Sequence, residues 1–104
     1  MKLVNHEPTI KAFGNGFQIT FPNKYTIFVK IGPGAKCTQT KTSTDPAEML
    51  MSARFGGNYG PDCEVEIYAP NKTNITEKFG TVNSLEFVST LELANLIYIV
   101  SSLK

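Results

Sequence analysis

The sequence predicts an α+β fold, a small antiparallel β-sheet of three to five strands covered on one face by a C-terminal α-helix. Two observations support this prediction. Apolar and polar residues alternate along three segments of the chain, and the apolar residues nearest the C-terminus instead recur at helical spacing. The chain of 104 residues has room for a single domain, 1–104, in which we expect a flexible loop around residues 35–60.

The three segments that alternate with a period of two residues are 17–21, 25–31 and 63–67. Because successive side chains of a strand point to opposite faces, this alternation predicts a sheet with one buried face. Pro22-Asn23-Lys24 connects the first two segments and favours a hairpin, since proline presets φ and asparagine tolerates the left-handed conformation. We expect a weaker strand at residues 84–88 and consider another near residues 75–79.

The C-terminal segment has the period of an amphipathic helix. Ser89 and Glu92 have the spacing of a capping box, which predicts where this helix begins. Residues 97–100 are strand-prone and favour a strand instead, but the length of the apolar stripe and the cap favour a helix. A shorter helix is expected at residues 46–54, with Pro46 at its first position. One face of the C-terminal helix would hold Leu93, Leu96, Ile97, Val100 and Leu103.

Residues with catalytic or metal-binding chemistry are few. His6 is the sole histidine, and no residue near it in the sequence completes a catalytic group; a dyad with Cys37 or Cys63 remains an alternative. Two cysteines are too few for a disulfide framework, so we expect thiols, with one bridge between them as the alternative in an exported protein. The glycine-rich turns at 32–34 and 56–60 lack the residues that follow a phosphate-binding loop. We therefore predict no catalytic residues, no cofactor, no metal and no enzymatic activity.

Two aromatic residues on the polar side of their strands indicate an interaction surface. Phe28 and Tyr68 occupy outward positions where the core needs no aromatic ring, although packing beneath the 36–60 loop is an equal alternative. Glu64 and Glu66 share an outward face; we favour a solvated strand edge for them over acid–base or cation-binding chemistry. The predicted partner-binding residues are Phe28, Lys30, Tyr59, Glu64, Glu66 and Tyr68.

Charge is distributed unevenly along the chain, whose formal net charge is +1. Residues 1–44 carry six lysines and one glutamate, whereas residues 45–104 carry three lysines and one arginine against two aspartates and six glutamates. We favour pairing between strands of the two halves, which would neutralise both. The alternative is nucleic-acid binding through Lys24, Lys30, Lys36 and Lys41.

No segment of the sequence has the features of a secretory signal or a membrane span. Residues 1–8 contain no apolar stretch of signal-peptide length. The most apolar segment, 93–103, is shorter than the stretch of about 20 residues that a membrane-spanning helix needs. We therefore expect a cytoplasmic protein without membrane contact, either a monomer or a homodimer.

Residues 21–34, Phe-Pro-Asn-Lys-Tyr-Thr-Ile-Phe-Val-Lys-Ile-Gly-Pro-Gly, resemble a stretch in small uncharacterised proteins of bacteriophages and prophages. There an Asn-x-Tyr-Thr hairpin likewise leads into a strand that ends in Gly-Pro-Gly. The resemblance implies an accessory protein of a phage or mobile element, made in the host cytoplasm, that acts by binding a host protein. Some such proteins inhibit defence systems, including CRISPR effectors. A small-ligand binder or minor enzyme that uses Glu64 and Glu66 is a further alternative.

Overall fold

The computed structural model describes residues 9–38, 60–80 and 84–104. Within them the chain forms one antiparallel sheet of five strands in the order β1-β2-β3-β4-β5, and a C-terminal helix packs on one face of this sheet. The α+β fold predicted from the sequence is therefore confirmed. The strands are β1 (Thr9–Phe13), β2 (Gly16–Thr20), β3 (Thr26–Lys30), β4 (Asp62–Tyr68) and β5 (Leu85–Ser89), and the helix is α1 (Thr90–Ser101).

The predicted hairpin is formed by β2 and β3, but its turn differs from the expectation in one respect. Lys24, rather than the asparagine, adopts the left-handed conformation, at φ 75°. Asn23 contributes its side chain instead. Its Oδ1 accepts a hydrogen bond from the N–H of Tyr25 (3.1 Å), and its Nδ2 donates to the carbonyl oxygens of Val100 (2.9 Å) and Leu103 (2.8 Å). The turn thereby donates to one carbonyl group in the last turn of α1 and to one just beyond it.

Strand β1 has no counterpart among the predicted strands. It lies at one edge of the sheet, and all five of its residues are exposed, with Ile10 at 69%. Phe13 falls on the same face as Lys11, which breaks the alternation of apolar and polar residues. A strand without a buried face carries little periodic signal, so this edge is visible only in the structure.

The two weaker strand predictions had different outcomes. Strand β5 confirms the strand expected at residues 84–88. The strand considered near residues 75–79 is wrong, because Thr76–Lys78 forms a single 3₁₀ turn. The buried Thr76 hydroxyl accepts a hydrogen bond from the N–H of Ile67 (2.8 Å), where a further strand would present a backbone carbonyl.

Helix α1 begins at the predicted capping box. Ser89 Oγ accepts a hydrogen bond from the N–H of Glu92 (3.2 Å), and Glu92 Oε1 accepts one from the N–H of Ser89 (3.1 Å). These contacts with Ser89 hold the pKa of Glu92 below its usual value. The apolar stripe of α1 packs onto β3, β4 and β5. The core between sheet and helix consists of Phe21, Ile27, Val29, Cys63, Val65, Ile67, Val88 and Val100.

Some predicted features fall outside the residues that the structure describes. They are the second helix at 46–54, residues 56–59 of the glycine-rich turn at 56–60, His6, Lys41 and Tyr59. What was predicted for them stays a prediction. In the described ranges, no helix is long and apolar enough to cross a membrane.

Candidate functional site

The candidate site lies on the face of the sheet opposite α1, which we call the open face. Its residues alternate with the core residues along each strand, so the strand register arranges them in rows across the sheet. One row runs from Lys11 on β1 through Gln18 and Phe28 to Glu66 on β4. The central part of the open face is formed by Lys11, Phe13, Gln18, Phe28, Lys30, Glu66 and Tyr68.

Three aromatic rings lie together on the open face, those of Phe13, Phe28 and Tyr68, and we call them the aromatic cluster. The ring centroids of Phe28 and Tyr68 are 5.3 Å apart with an interplanar angle of 70°, and those of Phe13 and Phe28 are 6.1 Å apart. Both separations lie in the range favoured for aromatic pairs. The two rings predicted as anchors are therefore adjacent, and the third was missed together with its strand.

Two neighbours on the open face hold Glu66. Its Oε1 lies 2.8 Å from Lys30 Nζ, and its Oε2 accepts a hydrogen bond from the Tyr68 hydroxyl (2.6 Å). Burial acts to raise the pKa of Glu66, but the hydrogen bonds from Lys30 and Tyr68 outweigh it and leave that pKa below its usual value. The hydrogen bond to Glu66 raises the pKa of Lys30, and it raises the pKa of Tyr68 to about 12. Glu66 therefore fixes the tyrosine ring in place as part of an ionised network.

Glu64 is buried, although it was expected at a solvated strand edge. That interpretation is wrong because β4 lies between β3 and β5, and because residues 35–38 lie against this end of the open face. The Glu64 carboxylate accepts hydrogen bonds from the N–H of Lys36 (3.0 Å) and from the Ser84 hydroxyl. Glu64 and Glu66 are thus engaged by different partners and do not form a shared acidic site.

The opposite end of the open face contains a concavity of about 720 Å³. Phe28 and Tyr68 form part of its wall, and Lys24 and Lys72 lie in the two turns that flank it. Among the described residues that line it, none is a carboxylate. Lys72 was missed in the sequence, where its signal is the triplet Pro-Asn-Lys, present at both 22–24 and 70–72.

Three of the four lysines considered for nucleic-acid binding are described, and each has different surroundings. Lys24 lines the concavity, whereas Lys30 forms the ion pair described above. Lys36 Nζ lies 3.7 Å from Glu86 Oε1, and Lys41 is outside the described residues. Lys30 and Lys36 thus meet carboxylates from the second half of the chain, as the charge distribution predicted.

Both cysteines are buried thiols. Burial raises the pKa of Cys63 to about 11, so its thiol stays protonated and weakly nucleophilic at neutral pH. Its Sγ donates to the carbonyl oxygen of Val88 at 3.4 Å. Among the residues whose placement is described, no group of three His, Cys, Asp or Glu side chains could hold a metal ion.

Comparisons of the chain with protein-family models, with curated proteins and with solved structures find no match. The comparisons therefore indicate no function for the open face. The resemblance of residues 21–34 to bacteriophage proteins stays a prediction.

Proposed function

We propose that this domain binds a partner protein through the open face, with the aromatic cluster as the anchor. The observation that carries the proposal is the contact between Phe28 and Tyr68 on the face that α1 leaves uncovered. Both residues are half-buried, so each retains surface that a partner could cover. Aromatic residues that become buried supply much of the binding energy at protein interfaces.

The contacts around Glu66 support an anchoring role for Tyr68. The tyrosine hydroxyl is held by the carboxylate, and the carboxylate is held in turn by Lys30. Phe28 is likewise flanked on both sides, by the rings of Phe13 and Tyr68. Side chains that are ordered before binding lose little conformational entropy on association, which favours affinity.

The proposal includes the source and target that the resemblance of residues 21–34 implies. The chain would be a phage or mobile-element protein that binds a bacterial host protein, including one of a defence system. No catalytic step is assigned to it. Among the described residues, Cys63 is a protonated buried thiol, and both Glu64 and Glu66 accept hydrogen bonds from neighbouring groups.

Affinity capture from a nuclease-treated bacterial lysate tests this function. Phe28→Ala combined with Tyr68→Ala removes two rings of the aromatic cluster, and the captured proteins should be lost. The matched control, Leu91→Ala combined with Tyr98→Ala, removes two apolar side chains from the outer side of α1, where they are 81% and 71% exposed. This control variant should retain the captured proteins.

Circular dichroism and thermal unfolding of both double variants separate binding from folding. Each variant should keep the spectrum of the parent chain, because the four substituted side chains lie outside the core. Capture that survives the loss of Phe28 and Tyr68 would contradict the proposal. Capture that is lost only with the α1 control would move the interface to the helix.

A further inference from the structure

Two turns that share the triplet Pro-Asn-Lys and the same hydrogen-bond geometry flank the concavity. Residues 21–25 and 69–73 both have Pro-Asn-Lys at their centre. In each turn the N–H of the first residue donates to the carbonyl oxygen of the fifth (2.9 Å), and the lysine N–H donates to the carbonyl oxygen of the first (2.8 Å). In each, the asparagine Oδ1 accepts a hydrogen bond from the N–H of the fifth residue at 3.1 Å.

The strand register places these turns side by side. Thr26, which follows the first turn, pairs with Tyr68, which precedes the second. Both lysines adopt the left-handed conformation, with φ 75° at Lys24 and 69° at Lys72. Glycine or asparagine adopts this conformation at a lower cost than lysine does. The geometry of the turn therefore does not explain why both copies have lysine at this position.

The lysines give the concavity an excess of positive charge. Lys24 and Lys72 line it, and within the described part of the chain no carboxylate lines it and neither lysine forms an ion pair. Lys11 lies on the same face, paired with Gln18, which also lines the concavity. Glu66, the carboxylate in the row of Gln18, is already occupied by the neighbours described above. This local excess contrasts with the net charge of +1 for the whole chain.

We infer that the concavity binds an acidic segment of the partner protein. Two carboxylates of the segment would pair with Lys24 and Lys72, and an apolar side chain between them would contact Phe28 and Tyr68. This inference rests on the proposed function, because it names the chemistry of the partner for the same face. Complementary charges steer association and select the partner, while the buried rings supply affinity.

The arrangement of the rings favours a protein segment over a nucleic acid. Sheets that bind single strands stack successive bases on their aromatic rings. Phe28 and Tyr68 instead meet edge to face, at 70°. This arrangement forms a cleft for a side chain and does not offer two parallel rings on which successive bases could stack. Two lysines also match a short acidic segment better than a strand that carries a phosphate at every nucleotide.

Selection from a random peptide library, with the full chain as bait, tests this inference without a known partner. Enriched peptides should contain a pair of acidic residues on either side of a bulky apolar residue. A fluorescent peptide of the enriched sequence then gives an affinity by anisotropy. Its affinity should fall as salt rises, because exposed charge pairs are screened.

Charge-reversal variants locate the bound peptide. Lys24→Glu combined with Lys72→Glu should weaken its binding on the order of a hundredfold, since two attractive pairs become repulsive. Lys36→Glu combined with Lys78→Glu makes the same change in net charge at residues that do not line the concavity. That control should change the affinity by less than about threefold, because distant charges are screened. Circular dichroism confirms that both variants are folded.

The outcomes separate this inference from the proposed function. Enriched peptides that are neutral or basic, but depend on Phe28 and Tyr68, would overturn the acidic segment and leave binding by the open face intact. Peptides that bind without those rings would overturn both. No enrichment over the charge-reversed bait would overturn the acidic segment, and capture from the lysate would still decide the function. An oligodeoxythymidine that displaces the peptide and needs both lysines would assign the concavity to nucleic acid instead.

Discussion

The two faces of the sheet are built from alternate residues of the same strands, but different interactions hold them. On β3, Ile27 and Val29 are fully buried in the core, whereas Phe28 and Lys30 are half-buried on the open face. Apolar burial stabilises the first face; a ring contact and an ion pair order the second. Stability and binding can therefore reside on opposite sides of one strand, so substitutions one residue apart should change different properties.

The largest expected effect is on the core face. Ile67 is fully buried, and Ile67→Ala should lower the free energy of unfolding by about 3 kcal/mol, because it removes buried carbon atoms and leaves a cavity. Phe28→Ala on the open face should lower it by about 1 kcal/mol, since that ring is already partly in contact with water. Urea unfolding followed by circular dichroism measures both. Equal losses would erase the contrast between the two faces.

The matched turns provide the second comparison. The Asn23 side chain donates to Val100 and Leu103 at the end of α1, whereas Asn71 is exposed and accepts the local bond of its own turn. Asn23→Ala should therefore lower the free energy of unfolding by about 2 kcal/mol, because it removes two hydrogen bonds that tie the turn to the C-terminal end of the chain, at the carbonyl oxygens of Val100 and Leu103. Asn71→Ala should lower it by about 0.5 kcal/mol, the smaller loss of one exposed hydrogen bond. Urea unfolding measures both changes. Similar losses of stability in the two variants would mean that the contacts of Asn23 with Val100 and Leu103 do not stabilise the packing of the helix.

Sequence periodicity revealed the parts of the fold that have a buried side. Alternation predicted β2, β3 and β4, because residues such as Val29 and Val65 must face the core. Strand β1 was not predicted because its residues are exposed and therefore need not alternate between apolar and polar. Phe13 was missed for the same reason. The 3₁₀ turn at Thr76–Lys78 depends on a hydroxyl that reaches another strand, which no local pattern reports.

Sequence periodicity predicted only part of the candidate site. Outward positions in alternating strands correctly placed Phe28 and Tyr68 on one face. The burial of Glu64 was not predictable, because it depends on residues 35–38 returning to the sheet. The repeated Pro-Asn-Lys triplet is visible in the sequence, but only the strand register shows that its two copies are neighbours.

The dependence of stability on pH should also distinguish the faces, because the open face holds a titrating network. The folded pKa of Glu66 is lowered, so its contribution is full above the unfolded pKa and is lost as pH falls through the folded pKa. The folded pKa of Tyr68 is raised to about 12, so its contribution is full below the pKa of an unfolded tyrosine and is lost as pH rises toward 12.

In Glu66→Gln, the free energy of unfolding should therefore fall less steeply as the pH is lowered. In Tyr68→Phe, it should fall less steeply as the pH is raised. Each change should stay within about 1 kcal/mol, the usual range for partly exposed pairs. Glu77→Gln, which removes an exposed carboxylate from the 3₁₀ turn, is the control. Urea unfolding across the pH range measures the three curves. If Glu66→Gln and the control change the loss of stability at low pH equally, the contacts of Glu66 with Lys30 and Tyr68 do not stabilise the fold.

The smallest expected effect has the opposite sign and concerns the turn lysines. Lys24→Gly and Lys72→Gly should each raise the free energy of unfolding by about 0.5 kcal/mol, because relief of the left-handed strain exceeds the entropy that glycine adds to the unfolded chain. Lys78→Gly, at a residue without positive φ, should lower it instead. If the turn variants are more stable yet lose the acidic peptide, both lysines are retained for binding at a cost to folding. If the turn variants are less stable, both lysines stabilise the fold. The residues of the open face would then contribute to stability, as the core residues do.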